Sequence, residues 1–203
     1  MYNIEYFGSK KDPHILCIKN FFDDNELDGI WQELSFLTYK HKLLPPASTN
    51  TAMFEGKPLK QNSGIFLESV FADKNISNIL TILEKTYDCG FLEYLMEYDP
   101  IFRYMMYCKR KSTLLSYYQD GDYYKKHWDV STISVLFYFF EEPKCFSGGD
   151  LYFPDFDKNI EIENNMVVIF PSCYRHEVDT VIMEGEEFNK KGRYCISQFL
   201  FSD

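Results

Sequence analysis

The sequence predicts an α+β domain, mainly β, in which a sandwich or jelly roll is braced by helices that precede it. Three observations carry this expectation. Helical apolar spacing and helix caps are confined to the first half of the chain. After Ser112 the pattern changes to short runs dense in β-branched and aromatic residues, separated by turn residues, as strands are. Aromatic residues make up 18% of the chain, with 19 Phe and 16 Tyr, which suits broad, well-filled β layers.

The elements follow in order. Asp23 or Asp24 can accept the free N–H groups of a first helical turn, and Leu27, Ile30, Leu34 and Leu37 then keep the helical period along one face. Pro45-Pro46 and the Ser/Thr/Asn cluster after them end this region and open a long loop. Asp73 offers a cap for a second helix with Ile76, Ile79, Leu80 and Leu83 on one face. A further helical piece over 91–96 stops near Pro100, and a short one reaches Tyr107. Strands are expected near 113–119, 133–140, 150–153, 160–163, 166–170, 176–182 and 194–201. Tight turns fall at Ser147-Gly148-Gly149-Asp150 and at Glu163-Asn164-Asn165. Segment 133–140 is apolar on both parities, so both its faces are expected to be covered.

At 203 residues the chain is read as a single domain over 1–203, with helical support over about 1–111 and a β core over about 112–203. Such a chain buries about 70% of its unfolded surface and needs no covalent staple. Acidic residues outnumber basic ones 31 to 21, and the net charge of −10 argues against nucleic acid and anionic membrane as partners. Lys109-Arg110-Lys111 and Lys125-Lys126 then read as solvated strand ends. The six cysteines are scattered, with no C-x-x-C pair, which fits free thiols in a reducing cytoplasm better than a zinc site or a disulfide scaffold. The longest apolar run is the six residues from Val135 to Phe140, far short of the ~18 a membrane span requires. Residues 1–12 carry no apolar stretch of signal-peptide length.

Two of the four histidines stand in informative places. In His127-Trp128-Asp129, positions i and i+2 of an extended chain point to one side, so an imidazole and a carboxylate can reach one metal while Trp128 faces away. His176 opens the strand after 166–170 and can supply a third ligand if the two strands are neighbours. Two histidines and a carboxylate on one face of a metal leave three positions open, the arrangement of non-haem Fe(II) oxygenases. Alone, H-x-D is weak, because its ordinary reading is a histidine hydrogen-bonded to a nearby carboxylate.

The surrounding residues add a resemblance. Tyr118 to Asp129 reads Y-x-x-G-x-x-Y-x-x-H-x-D, and resembles the metal-binding segment of the 2-oxoglutarate/Fe(II)-dependent dioxygenase superfamily, in its prolyl 4-hydroxylase-like branch. Gly148-Gly149-Asp150-Leu151-Tyr152-Phe153 resembles the G-G-x-L-x-F turn and strand of that family. The strand through Phe170-Pro171 to His176 resembles the one that delivers the distal histidine. Gly192-Arg193-Tyr194-Cys195-Ile196 resembles the strand opening that supplies the cosubstrate arginine. The ordered match spans about 113–201.

The resemblance implies a double-stranded β-helix core and an oxidoreductase. His127, Asp129 and His176 would be catalytic metal ligands for Fe(II), and Arg193 and Tyr118 would bind 2-oxoglutarate. O2 would be the second cosubstrate and ascorbate an accessory reductant. The reaction implied is hydroxylation of an unactivated C–H bond with release of succinate and CO2, on a prolyl residue of a protein or peptide. A free amino acid or other small molecule is the alternative substrate. A non-catalytic cupin-like metal-binding module and a zinc hydrolase are the competing readings. Arginine is a planar, permanently charged fork suited to a carboxylate. Tyr117 has the opposite strand parity to Tyr118, so one of the two points inward, and Tyr118 is preferred. Tyr124 either faces the metal or packs. His14, His41, Arg175, Asp150 and Asp179 read as surface, core or turn residues, and the polar segment 42–71 as either part of a substrate lid or a connecting loop.

Overall fold

The computed structural model describes residues 3–8, 13–39, 42–183 and 192–202. Sixteen strands appear in chain order among them. β1 (Asn3–Phe7) and β2 (Ile15–Lys19) open the fold, followed by β3 (Met53–Phe54), β4 (Lys57–Pro58), β5 (Lys60–Gln61) and β6 (Ser63–Phe66). Then come β7 (Cys108–Tyr118), β8 (Tyr123–His127), β9 (Ile133–Phe139), β10 (Phe146–Ser147), β11 (Leu151–Phe153) and β12 (Lys158–Ile160). β13 (Met166–Pro171), β14 (His176–Val178), β15 (Ile182–Met183) and β16 (Arg193–Ser202) complete them. A seven-stranded sheet runs β1-β2-β13-β9-β16-β7-β6, and a five-stranded sheet β12-β11-β14-β8-β5 faces it. All the pairings within them are antiparallel.

The large sheet is buried on both faces, which accounts for the double apolar parity of its central strand. Ile133, Val135, Phe137 and Phe139 of β9 point to the helices, with Leu115 and Tyr117, Val167 and Ile169, Tyr194 and Ile196 from its neighbours. Leu136 and Tyr138 point between the sheets, with Tyr118, Val168, Phe170 and Cys195. Alternation thus divides each strand between a helix-facing core and an interior shared by the two sheets.

α1 (Asp24–Tyr39) covers the large sheet with Ile30, Leu34 and Leu37 buried. Its start is fixed by a reciprocal cap: Glu26 N–H donates to Asp23 Oδ1 at 3.0 Å and Asp23 N–H to Glu26 Oε2 at 2.9 Å. The expected second helix is instead three short pieces. A 3₁₀ turn over Lys74–Ile76, capped by Asp73, gives way to α3 (Asn78–Ile82), and a second 3₁₀ turn follows over Leu83–Tyr87. α2 (Leu67–Val70) precedes them. The break comes at Ser77, whose hydroxyl accepts the Leu80 N–H at 3.0 Å and starts the helix afresh. This shifts the helical phase and leaves Ile76 69% exposed rather than on the apolar face. α4 (Cys89–Tyr98) begins at an Asp88 cap, and a 3₁₀ stretch over Pro100–Tyr107 follows it.

Two strand expectations need correction. The strand near 160–163 lies earlier, as β12, because it hairpins onto β11 with Ile160 opposite Leu151. The strand over 176–182 is two strands: Asp179 N–H bonds Asp150 O and Val181 N–H bonds Asp122 O, so the chain leaves one ladder before joining another. Part of both sheets also comes from before residue 112, since β1, β2 and β6 extend the large sheet and β5 edges the small one. No helix among the described residues is long and apolar enough to cross a membrane.

Candidate active site

β8 and β14 pair with His127 directly opposite His176, which places the two imidazoles side by side in the space between the sheets. Asp129 lies just past the end of β8, and Trp128 between them turns out to solvent with 62% exposure. One ligand atom from each of the three residues lies within 4.8 Å of the others. His127 Nε2 is 3.8 Å from Asp129 Oδ1, and His176 Nε2 is 3.7 Å from Asp129 Oδ2.

The surroundings fix how these groups present themselves. His127 Nδ1–H donates to the Lys125 carbonyl at 2.8 Å and His176 Nδ1–H to the Tyr174 carbonyl at 3.0 Å. Each ring therefore aims its Nε2 lone pair at the shared space. Burial, then the neighbouring His176, pushes His127 well below the usual histidine range, so it is neutral and able to ligate at pH 7. Ser134 donates to Asp129 Oδ2 at 2.6 Å, and the Asp129 N–H is held by the Ser172 carbonyl at 3.1 Å. Tyr124 stacks on His127 at 3.5 Å between centroids and also lines the cavity, so packing and facing the site are one arrangement.

Arg193 opens β16 opposite Tyr118 of β7. Its side chain is fully buried, and Nε, Nη1 and Nη2 have no hydrogen-bond partner among the described residues. The guanidinium carbon lies 4.7 Å from the ring centroid of Tyr118 and 4.7 Å from that of Tyr138. Gly149 makes room for it: with φ of +74°, it would place any Cβ 3.1 Å from Arg193 Cδ. Tyr118, not Tyr117, faces this space; the Tyr117 ring sits at 4.6 Å from Tyr194 in the helix-side core. An unpaired buried cation is costly unless a ligand pairs it.

The triad and the two tyrosines line one cavity of about 80 Å³. It meets a wider outer cleft of about 380 Å³, whose walls include Asn50, Thr51, Trp128, Val130 and Phe201. Segment 42–71 supplies part of both walls through Thr49, Asn50 and Phe66.

Three residues of the site went unread in the sequence. Tyr138 carries a buried hydroxyl without a partner beside Arg193, and its parity within 133–140 was the available signal. Ser134 orients Asp129 from the same strand. Lys60 comes from a two-residue strand that had no signal. Elsewhere, His14 joins Tyr6 and Asp99 in a separate cluster, Arg175 forks onto Asp155 at the surface, and Asp150 holds the Ile162 N–H at a turn. His41 lies outside the described residues.

The donor chemistry fits Fe(II) and 2-oxoglutarate. Two imidazoles and one carboxylate suit a divalent iron with open positions. The orphaned guanidinium, flanked by two phenols that burial keeps protonated, suits a carboxylate.

Comparison with known proteins agrees. The family model of the 2OG-Fe(II) oxygenase superfamily matches residues 113–201. An uncharacterized PKHD-type hydroxylase of Synechocystis sp. is 36% identical over an alignment of 93 residues, which covers 36% of this chain and 31% of that protein. The chain therefore matches about a third of that relative's length. A Pseudomonas putida prolyl-4-hydroxylase shares the fold at a TM-score of 0.63 and 13% identity, over 93% of this chain and 92% of that one. So does a viral collagen prolyl hydroxylase from Paramecium Bursaria Chlorella virus-1, in its 2OG complex, with a TM-score of 0.56, 14% identity, and coverage of 93% and 96%. The segment 113–201, which carries the triad and the arginine, thus matches the 2OG-Fe(II) oxygenase superfamily, and the chain shares the double-stranded β-helix fold of the prolyl-4-hydroxylase structures.

Proposed function

We propose that this chain is a hydroxylase that holds Fe(II) on His127, Asp129 and His176 and 2-oxoglutarate on Arg193, with Tyr118 and Tyr138 beside it. The observation that carries the proposal is the coexistence, between the two sheets, of an open two-histidine, one-carboxylate donor set and a fully buried guanidinium that has no partner among the described residues and packs on the cavity-lining Tyr118 and Tyr138. A metal-binding module without turnover has no use for such a carboxylate anchor. Iron and 2-oxoglutarate, when bound, supply the O2-activating chemistry that hydroxylates an unactivated C–H bond and releases succinate and CO2.

The chain's own residues position that chemistry. The carbonyls of Lys125 and Tyr174 hold both imidazoles with Nε2 inward, and Ser134 holds the carboxylate in place. Arg193 grips the distal carboxylate of the cosubstrate and so sets which end reaches the metal. Leu136, Leu151 and Val178 line the cavity and keep water from the reacting atoms. The outer cleft, with Trp128 and Val130 at its rim, receives the substrate. The prolyl-hydroxylase neighbours support a prolyl residue of a protein or peptide as that substrate. The six cysteines are all free, which supports a reducing, cytoplasmic setting.

The test is succinate formation from 2-oxoglutarate by purified protein with Fe(II), ascorbate and air. Succinate above a His127→Ala control is expected, and His176→Ala is expected to abolish it with the fold intact. A fully active His176→Ala contradicts the ligand assignment.

A further inference from the structure

The cavity holds a second buried cation that the proposed chemistry leaves unused. Lys60, on the edge strand β5, is 3% exposed and lines the same cavity as the triad. Its partner across the ladder is Tyr124, the residue stacked on His127, and Lys60 Nζ lies 5.4 Å from the Tyr124 ring centroid. No hydrogen bond or ion pair reaches that ammonium from the described residues. Asp129 acts on it only at longer range, with one oxygen already bonded to Ser134 and both facing the histidines. Burial lowers Lys60 to about 8, which still leaves it charged at pH 7.

Charge balance says what this ammonium is for. Lys60 in the cavity, Arg193 behind its Tyr118 and Tyr138 wall and a divalent ion bring four positive charges to the site. Asp129, the sole carboxylate among its lining residues, and doubly charged 2-oxoglutarate bring three negative ones. Without Lys60 the loaded site would be neutral; with it, one buried positive charge remains uncompensated. A buried charge of that kind is expensive, and an anion from outside removes the cost.

Resting on the Fe(II)/2-oxoglutarate reading above, we infer that Lys60 is a specificity-determining residue that binds a carboxylate of the substrate, so that the enzyme selects carboxylate-bearing molecules. The carboxylate is either the α-carboxylate of a free amino acid or an acidic side chain beside the target residue of a peptide. Lys60 belongs to the polar segment 42–71, outside the part of the chain that matches the family, which fits a determinant particular to this protein.

The experiment is equilibrium binding by calorimetry at pH 7 to protein loaded with Mn(II) and N-oxalylglycine, an inert 2-oxoglutarate mimic. The probes are matched acid and amide pairs: L-proline with L-prolinamide, L-leucine with L-leucinamide, and short proline peptides carrying Asp or Glu against Asn or Gln. In the wild type at least one acid is expected to bind about tenfold or more tighter than its amide, as a charge-assisted hydrogen bond provides. In Lys60→Met that preference should collapse to within about threefold, and Lys60→Arg should retain part of it. The pair that shows the effect identifies the carboxylate's source. A wild type that prefers no acid to its amide overturns the inference, as does a preference that survives Lys60→Met. Lys60→Met weakening N-oxalylglycine instead would assign the lysine to the cosubstrate and also overturn it. Failure of the wild type to bind N-oxalylglycine in a Mn(II)-dependent way would overturn the underlying cofactor reading, and is visible before any substrate probe is added.

Discussion

The two faces of the large sheet are built from the same strands, one residue apart, and have opposite chemistry. Toward the helices, Leu115, Tyr117, Phe137, Val167, Tyr194 and Ile196 form an apolar layer. Toward the small sheet, Ser116, Tyr118, Ser134, Tyr138 and Arg193 put hydroxyls and a cation into a buried space, three of them with unsatisfied or ligand-orienting polar groups. The outward face supplies stability that the inward face consumes. A protein selected for stability alone would have no reason to bury Arg193 or Lys60 without partners among the described residues.

Substitutions on the two faces should separate these roles. The largest effect is expected from Arg193→Met. Removing one partner of a buried, bidentate carboxylate pair should weaken 2-oxoglutarate binding by about a hundredfold or more, while the ligand-free protein becomes more stable because an unpaired buried cation has gone. Binding titrations and thermal melts on the same samples would show both. Phe137→Ala, on the opposite face, should cost about 3–5 kcal/mol of stability through the cavity it leaves, seen as a lower denaturation midpoint.

Lys60→Met sharpens the comparison through its pH dependence. The folded chain holds the Lys60 proton less tightly than the unfolded chain, with a value of about 8 against the ordinary 10.5. The resulting destabilisation is complete below pH 8 and disappears as pH rises from 8 toward 10.5, where the unfolded lysine also loses its proton. The variant should therefore be more stable than wild type by about 3 kcal/mol at pH 7, with the advantage shrinking above pH 8 in denaturation curves recorded across that range. The smallest effect is expected from Tyr138→Phe, which removes one hydroxyl beside Arg193 and should weaken 2-oxoglutarate binding by about three- to tenfold at unchanged fold.

How much of this was legible in the sequence follows from where the signals were local. His127, Asp129, His176 and Arg193 sit in short motifs whose spacing maps onto strand geometry, and the structure brings all four to one space between the sheets. Parity said only that one of Tyr117 and Tyr118 points inward; the motif match preferred Tyr118, and the structure turns Tyr118 to the space between the sheets. The N-terminal contribution was hidden. β5 has two residues, and Lys60 reads as an ordinary surface lysine until long-range pairing with β8 buries it. β1 and β2 join the large sheet across more than a hundred residues of chain, a pairing that no local pattern reports. The helix from Asp73 failed for the opposite reason: a strong local cap at Ser77 overrode a longer apolar period.

The central claim is that the triad and the unpaired arginine form a single site for iron and 2-oxoglutarate. Its most direct test is the visible absorption spectrum of the Fe(II)-loaded protein under anaerobic conditions as 2-oxoglutarate is added, in wild type and Arg193→Met. A 2-oxoglutarate-dependent band is expected in the wild type, and the variant is expected to require far higher 2-oxoglutarate to show it. No band in the wild type, or the same titration curve in both proteins, would contradict the claim.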